Sequence, residues 1–167
     1  IVRDKYIIEE IIENHKDIKA INPETLNTIR VLSMVKSDGS VVITNAFLRF
    51  GVGDSVVDNF SAGGMACLID VGSGILKTMA KSKFSSGIIH HPLTKIKLLG
   101  YQIEDWDKIV KYISKIALMV PEARYIGWDI AILNNGLELI EGNFVAGITS
   151  YQYLQGKGEY NTLRAFR

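Results

Sequence analysis

The spacing of apolar and polar positions predicts a chain made mostly of β-strands with one long helix. In residues 105–120 the apolar side chains recur at the three-and-four spacing of one buried helix face, and Pro121 ends the pattern. Runs rich in β-branched residues predict strands at 28–35, 41–50, 65–71, 75–80 and on both sides of a turn within 125–143. The predicted class is α+β, a mainly antiparallel sheet packed on helices.

The dipeptide Asp38-Gly39 predicts a hairpin between the first two strands. If these two residues form the whole turn, Arg30 pairs with Phe47, and Arg49 lies on the same face one step beyond. Two arginines on one sheet face attract each other only through a shared anion. The pair is therefore a candidate anion site, while the alternative, two exposed edge residues, stays open.

The last predicted hairpin has three oxygen-bearing side chains within apolar strands: Asp129, Glu141 and Asn143. Acidic residues are depleted inside strands, and a buried carboxylate is costly unless something pairs with it. Glu141 and Asn143 are two residues apart, so they point to the same side of their strand. Two carboxylates and an amide on one face predict a site for a hard cation such as Mg²⁺.

Whether Asp129 joins this face depends on the turn. A two-residue loop at Asn135-Gly136 aims its carboxylate away from Glu141. A three-residue loop that begins at Asn134, with Gly136 at positive φ, pairs Asp129 with Glu141. We predict the longer loop because it brings the polar side chains together. Apolar residues alternate on both faces, so both are expected to be covered. Without a cation the two carboxylates repel, and at least one is expected to have a raised pKa.

Composition restricts the class of protein more than its function. The chain has 167 residues, of which 47% are hydrophobic and 22% charged, and this is typical of one globular domain with its own core. The net charge of +1 favours neither nucleic acid binding nor an acidic tail. The single cysteine, Cys67, lies in an apolar run, which predicts a buried inert thiol and suits a reducing cytoplasm. No apolar run approaches the roughly 20 residues that span a bilayer.

Two loop motifs add candidate contacts. Gly63-Gly64 ends a polar loop, where paired glycines let backbone N–H groups approach a ligand closely, although a plain turn fits equally well. His90 and His91 are neighbours in an extended segment and point in opposite directions, which argues against a shared zinc site. His91 is a candidate substrate contact.

With these motifs in order, the chain resembles the carboxyl-terminal part of an ATP-grasp enzyme, and most of all the sugar-transfer-associated ATP-grasp family. The matching blocks cover nearly the whole chain: Ile8-Glu9-Glu10-Ile11-Ile12, Asn27-Thr28-Ile29-Arg30-Val31, Leu48-Arg49-Phe50-Gly51, Val57-Asp58-Asn59, Gly63-Gly64, His91-Pro92, Gly127-Trp128-Asp129-Ile130-Ala131 and Ile140-Glu141-Gly142-Asn143. The last two blocks are the most specific. ATP-grasp enzymes generally place an acidic residue and then Glu-x-Asn on neighbouring strands, where they hold two Mg²⁺ ions on ATP.

The resemblance implies ATP and Mg²⁺ as cofactors and assigns four groups of residues. The metal ligands would be Asp129, Glu141 and Asn143. The hinge that meets the adenine would be formed by Glu9, Glu10, Ile11 and Ile12. The catalytic residues that face the phosphates or the transferring centre would be Arg30 and Arg49, with Arg30 also contacting the nucleotide. The acceptor substrate would lie toward Asn59, Gly63, Gly64 and His91.

The implied activity is that of an ATP- and Mg-dependent carboxylate–amine ligase. ATP would phosphorylate a carboxylate to an acylphosphate, and an amine or similar nucleophile would displace the phosphate, in cell-surface polysaccharide or sugar modification. The implied partners are a small-molecule carboxylate or sugar-linked substrate and sugar-transferase machinery, with no nucleic acid. The alternative is a non-catalytic nucleotide-binding or scaffold module attached to a sugar transferase. Residues 1–167 are expected to form one domain that lacks the amino-terminal nucleotide-binding subdomain, and to be inactive alone.

Overall fold

The fold is built on one sheet of five antiparallel strands. A computed structural model describes residues 10–52, 60, 63–144 and 146–164. The elements follow in the order α1 (Lys16–Ile21), β1 (Thr28–Val35), β2 (Val41–Phe50), β3 (Met65–Ile69), α2 (Trp106–Ala117), β4 (Tyr125–Leu133), β5 (Gly136–Asn143), α3 (Ile148–Gln155) and α4 (Tyr160–Arg164). The strand order is β3-β2-β1-β4-β5. The predicted α+β class is confirmed.

The first hairpin has the predicted pairing but a longer turn. The Lys36 N–H donates to the Ser40 carbonyl at 2.8 Å, so three residues form the turn, with Gly39 at φ +80°. One extra residue in β2 forms a bulge that offsets the longer turn. Arg30 therefore pairs with Phe47, as predicted.

Helix α2 covers one face of the sheet and contains the predicted apolar stripe. Its buried side chains are Trp106, Ile109, Ile113, Ile116 and Ala117. They pack with α1 and with the inward residues of β1, β2, β3 and β4 in the larger of two apolar clusters. The helix ends at Ala117 rather than at residue 120, and the following Leu118, Met119 and Val120 are exposed.

The opposite face of the sheet is only partly apolar. Helix α3 packs Tyr151 and Leu154 against Leu32, Phe47 and Leu68 in a second, smaller cluster. The same face continues along β1, β2 and β4 into a polar region with Arg30, Arg49 and Asp129. One face of the sheet is covered by α2, and the other is partly polar. The polar part, beside α3, is the candidate location of a functional site.

Of three further predictions about packing, two are wrong and one is confirmed. Residues 75–80 form isolated bridges instead of a strand. Strand β5 is an exposed edge strand, so the prediction that both faces of the last hairpin are covered is wrong for β5. The buried thiol is confirmed, because Cys67 has no exposed surface and burial raises its pKa to about 12. Helices α1, α3 and α4 were not predicted.

Candidate nucleotide and metal site

The centre of the candidate site is a buried ion pair between neighbouring strands. Arg30 on β1 lies directly opposite Asp129 on β4. Its Nε donates to Asp129 Oδ1, and its Nη2 donates to Oδ2 at 2.7 Å. This two-point contact between a guanidinium and a carboxylate is geometrically specific. Asp129 is 2% exposed, so the pair is shielded from solvent.

Arg49 reaches the same carboxylate from β2. Its Nη2 lies 2.9 Å from Asp129 Oδ2. Arg49 is paired with Thr28 across the β1–β2 ladder, and its Nε and Nη2 donate to the Thr28 hydroxyl at 3.0 and 2.7 Å. The predicted sharing of one anion by two arginines is therefore present, and the anion is a carboxylate of the chain itself. The alternative of exposed edge arginines does not hold.

The two arginines set the protonation of Asp129. Burial raises the pKa of this carboxyl, but the hydrogen bonds from Arg30 and the charges of Arg49 and Arg30 outweigh burial and hold the pKa below its ordinary value. This direction is opposite to the one expected from repulsion between Asp129 and Glu141, because the arginines supply the counter-charge. Asp129 is ionised at neutral pH.

The β4–β5 hairpin brings the predicted metal ligands to one place. Asp129 pairs with Glu141 across the ladder. Glu141 Oε1 accepts a hydrogen bond from Asn143 Nδ2 at 2.9 Å and lies 3.7 Å from Arg30 Nη2. The side chains of Asp129 and Glu141 thus share a face and a guanidinium. The predicted register is confirmed.

The turn that produces this register is not the predicted one. Strand β4 ends at Leu133 and β5 begins at Gly136, so the loop has two residues instead of three. Gly136 has φ +145°, as the prediction of a positive φ required. A bulge then adds one residue to β5 between Leu139 and Glu141, and it restores the pairing of Glu141 with Asp129.

The hinge segment forms an open cleft with β5. A cavity of about 490 Å³ is lined by Glu10, Ile12, Leu26, Glu138, Leu139 and Ile140. Ile11 is 91% exposed and does not line it. Asn14 attaches this segment to the sheet, since its side chain donates to the Asn27 carbonyl and its backbone bridges to Leu133. The cleft therefore reaches the bulge residue Ile140, which precedes Glu141 in β5. Glu9 lies outside the described residues.

Among the residues predicted to face the acceptor, Gly63, Gly64 and His91 do not line this cleft. Asn59 lies outside the described residues. Gly63 has φ +100°, and Gly64 is buried just before β3. His91 has no exposed surface: its Nε2 lies 3.1 Å from the Gly51 carbonyl, and its Nδ1 accepts from the Thr94 N–H at 3.3 Å. Burial lowers the pKa of His91. In this position the imidazole supports the loop that follows Arg49.

Two glycines contact Arg30 closely and were given no role by the sequence analysis. A Cβ on Gly127 would lie 3.0 Å from the Ala146 carbonyl oxygen and 3.2 Å from Arg30 Cδ. Gly147 has φ +63°, and a Cβ there would lie 3.3 Å from Arg30 Nη1. The chain after β5 therefore crosses closely over Arg30. A glycine inside a strand is a signal of such close approach, so Gly127 was recognisable from the sequence.

The donor set fits a hard cation in part. Glu141 is 56% exposed and Asn143 lies beside it, so two oxygen-bearing side chains are open to a metal ion. Carboxylate and amide oxygens are the ligands that Mg²⁺ accepts. Asp129 is already in contact with two guanidinium groups, which compete with a cation for its oxygens. The roles of all three residues as ligands stay predictions.

The five-stranded antiparallel sheet with its packed helices and this carboxylate–arginine cluster are consistent with an ATP-grasp fold. The family model for sugar-transfer associated ATP-grasp matches residues 2–167, and the chain belongs to this family. No curated protein and no solved structure matches the chain. The resemblance in the sequence is confirmed, and membership supports an ATP-binding, ligase-like fold. Within the described ranges, no helix has the length and apolar character needed to cross a membrane.

Proposed function

We propose that the protein is an ATP- and Mg-dependent ligase that activates a carboxylate as an acylphosphate for attack by an amine or similar nucleophile. The setting we propose is cell-surface polysaccharide or sugar modification, in association with sugar-transferase machinery. The observation that carries this proposal is the cluster of two arginines and two carboxylates beside an open cleft. In this scheme residues 1–167 supply one side of the nucleotide site, and an amino-terminal nucleotide-binding subdomain supplies the other.

The arginines are the groups that stabilise the transferring phosphoryl group. Guanidinium groups bind phosphate oxygens through two parallel hydrogen bonds, and they remain charged at any relevant pH. Asp129 holds Arg30 and Arg49 on the same face within one network. Such preorganised charge lowers the barrier to transfer because it needs no rearrangement when negative charge moves. This chemistry needs positioning and charge rather than a protein nucleophile.

Mg²⁺ would neutralise the phosphates of ATP when it is bound. The residues that would hold it are Glu141 and Asn143 on β5, together with Asp129 on β4. Glu141 supplies the accessible carboxylate, since more than half of its side chain is exposed. Asn143 keeps Glu141 oriented through their hydrogen bond.

The base of the nucleotide would enter the cleft between the hinge and β5. Ile12, Leu26 and Leu139 supply apolar surface there, and Glu10 and Glu138 supply acceptors for an amino group. The position supports this assignment because the cleft borders the bulge that orients Glu141. Glu9 and Ile11 are assigned to the same hinge. The acceptor would lie toward Asn59, Gly63, Gly64 and His91, and His91 contacts the Gly51 carbonyl.

A second candidate is a nucleotide-binding or scaffold module without ligase activity. One observation favours it: both oxygens of Asp129 contact arginines, as in a structural ion cluster. In that case the cluster would stabilise the sheet, and any nucleotide would bind through the cleft alone. The two candidates differ in whether Mg²⁺ strengthens nucleotide binding through Glu141.

The first test measures thermal unfolding of the full-length protein with ATP, with and without Mg²⁺. We expect Mg·ATP to stabilise the wild type by about 2.7 kcal/mol at a nucleotide concentration of about 100 Kd. Glu141→Gln should lose the part of this gain that depends on Mg²⁺, while its stability without ligands falls by at most about 1 kcal/mol. Glu122→Gln, an exposed glutamate in the turn before β4, is the charge-matched control. Equal Mg²⁺ dependence in all three proteins would remove Glu141 from the metal site.

The second test separates a ligase from a scaffold. Hydroxylamine replaces the unknown amine, because it traps acylphosphates as hydroxamates whatever the natural nucleophile is. Uronic acids and amino acids serve as candidate carboxylates. A ligase forms hydroxamate and ADP in equal amounts, and only when a carboxylate is present. Nucleotide binding with neither product, across the carboxylates tried, would favour the scaffold.

A further inference from the structure

Positive charge is concentrated in one segment of the chain, residues 71–103. This segment has five lysines and no aspartate or glutamate, whereas the other 134 residues have 14 basic and 18 acidic side chains. The net charge of +1 therefore combines +5 in the segment with −4 elsewhere. The lysines are Lys77, Lys81, Lys83, Lys95 and Lys97. Such asymmetry indicates a surface for an anionic partner.

The segment forms a folded extension of one sheet edge. Short bridges attach it to β3 and fold it back on itself: Ala66↔Lys81, Ile69↔Leu76, Ala80↔Ile88 and His90↔Lys97. Leu76, Ala80 and Leu98 have no exposed surface and anchor it to the core. Because these side chains point inward, many of the intervening ones point to solvent.

The outward side chains are of two kinds. Four lysines are exposed: Lys77, whose Nζ lies 3.9 Å from Asp70 Oδ2 at the border of the segment, and Lys83, Lys95 and Lys97. Lys81 is instead engaged by α3, where its Nζ donates to the Leu154 carbonyl at 2.9 Å. Large apolar side chains are exposed between the lysines: Phe84 (79%), Leu93 (54%), Met79 (43%), Ile89 (39%) and Ile75 (37%). The segment thus exposes both lysines and apolar side chains to solvent.

We propose that this surface, formed by the exposed lysines and apolar residues of 71–103, docks the protein on an anionic lipid membrane. Lysine ammonium groups are attracted to anionic headgroups, and apolar side chains gain from insertion at the headgroup boundary. Nucleic acids and other anionic polymers are bound more often through arginine forks and aromatic stacking. The segment has no arginine, and its aromatic residues are Phe84 and the half-buried Tyr101. Lipid is therefore the anionic partner that its composition favours.

The docking surface and the cleft of the candidate nucleotide site lie at opposite edges of the sheet. The segment extends from β3, and the cleft lined by Glu138, Leu139 and Ile140 lies at β5, at the opposite edge. Strand spacing places these outer strands about 19 Å apart. Docking through residues 71–103 thus leaves the cleft open to solvent. Docking on a membrane requires no nucleotide, so it can be tested independently of the proposed ligase activity.

Vesicle co-sedimentation of the full-length protein tests the proposal without nucleotide. We expect binding to mixed phosphatidylcholine–phosphatidylglycerol vesicles, weakening with salt, and none to phosphatidylcholine alone. Each lysine near an anionic leaflet contributes about fivefold to partitioning. The quadruple variant Lys77→Gln, Lys83→Gln, Lys95→Gln and Lys97→Gln should therefore bind at least tenfold more weakly. The charge-matched control replaces exposed lysines outside the segment: Lys16→Gln, Lys111→Gln, Lys115→Gln and Lys157→Gln.

The apolar residues supply a second, independent readout. Phe84→Ser with Leu93→Ser should weaken vesicle binding severalfold and leave binding to heparin unchanged. The paired variants Lys77→Gln with Lys83→Gln and Lys95→Gln with Lys97→Gln divide the charge loss, in case the quadruple variant does not fold. Equal loss in the segment variant and the control would overturn the proposal, because net charge alone would then explain binding. So would binding to heparin or RNA without binding to anionic vesicles, since the partner would be an anionic polymer.

Discussion

Replacing Asp129 by asparagine should be one of the most destabilising single changes in this protein. The substitution keeps the shape of the side chain and removes the carboxylate that contacts Arg30 and Arg49. Both arginine side chains are only 10–11% exposed, so water replaces the lost charge poorly. Removing one partner of a buried ion pair typically costs about 3–5 kcal/mol. This is a large part of the roughly 5–15 kcal/mol that stabilises a typical domain.

Urea unfolding followed by circular dichroism, without metal or nucleotide, measures the loss. Glu141→Gln is the matched control. Glu141 is 56% exposed and 3.7 Å from Arg30, so its removal should cost at most about 1 kcal/mol. The pH dependence has a definite sign. The folded pKa of Asp129 is depressed, so its contribution is complete above the ordinary value of 3.8 and is lost as pH falls through the folded pKa. The difference in unfolding free energy between the wild type and Asp129→Asn should decrease below pH 3.8.

Two results would refute this reasoning. One is a loss below about 1 kcal/mol for Asp129→Asn, which would mean that the arginines do not depend on this carboxylate. The other concerns the combined variant Asp129→Asn, Arg30→Met and Arg49→Met. If buried charge causes the loss, removing the cations as well should recover much of it, because apolar replacement of a buried ion cluster is often neutral or stabilising. A combined variant less stable than Asp129→Asn would contradict that cause.

Two further predictions concern close packing and the buried thiol. Gly127→Ala should lower the unfolding free energy by about 1–3 kcal/mol in urea titrations, because its Cβ would press on Ala146 and Arg30. The control is Gly158→Ala, because a Cβ at Gly158 would have no atom within 4 Å. Equal losses in the two variants would show that this contact is not the cause. Cys67 should react with Ellman's reagent only as fast as the protein unfolds, since the thiol is fully buried and its pKa is raised to about 12. Rapid labelling of the native protein would show that β3 opens locally.

The sequence predicted pairing within hairpins better than contact between them. Arg30↔Phe47 and Asp129↔Glu141 join strands that are adjacent in the chain, and turn residues with alternating polarity carry that information. The Arg30–Asp129 contact joins residues 99 positions apart. Local patterns carry no signal for which hairpins lie side by side, so the carboxylate was assigned to a metal and not to the arginines. The exposure of β5 was missed for the same reason, because a strand becomes an edge only through the order of the whole sheet.

Each of the two hairpins that carry residues of the site, β1–β2 and β4–β5, contains a β-bulge. In the first hairpin, Ser33 pairs with Ile43 and Leu32 with Asn45, so Thr44 is the extra residue. In the last, Ile130 pairs with Leu139 and Asp129 with Glu141, which leaves Ile140 as the extra residue.

Each bulge corrects the direction of a functional side chain. A shift of one residue moves every following side chain to the other face of a sheet. Without the bulge in β2, Arg49 would point into the apolar core beneath α2. Without the bulge in β5, Glu141 would point away from Asp129. With regular ladders after these turns, the polar residues would therefore lie on two different faces of the sheet. The bulges at Thr44 and Ile140 place them on one face. This is the use of bulges expected beside a functional site, where an altered strand re-aims a side chain at the cost of ladder regularity.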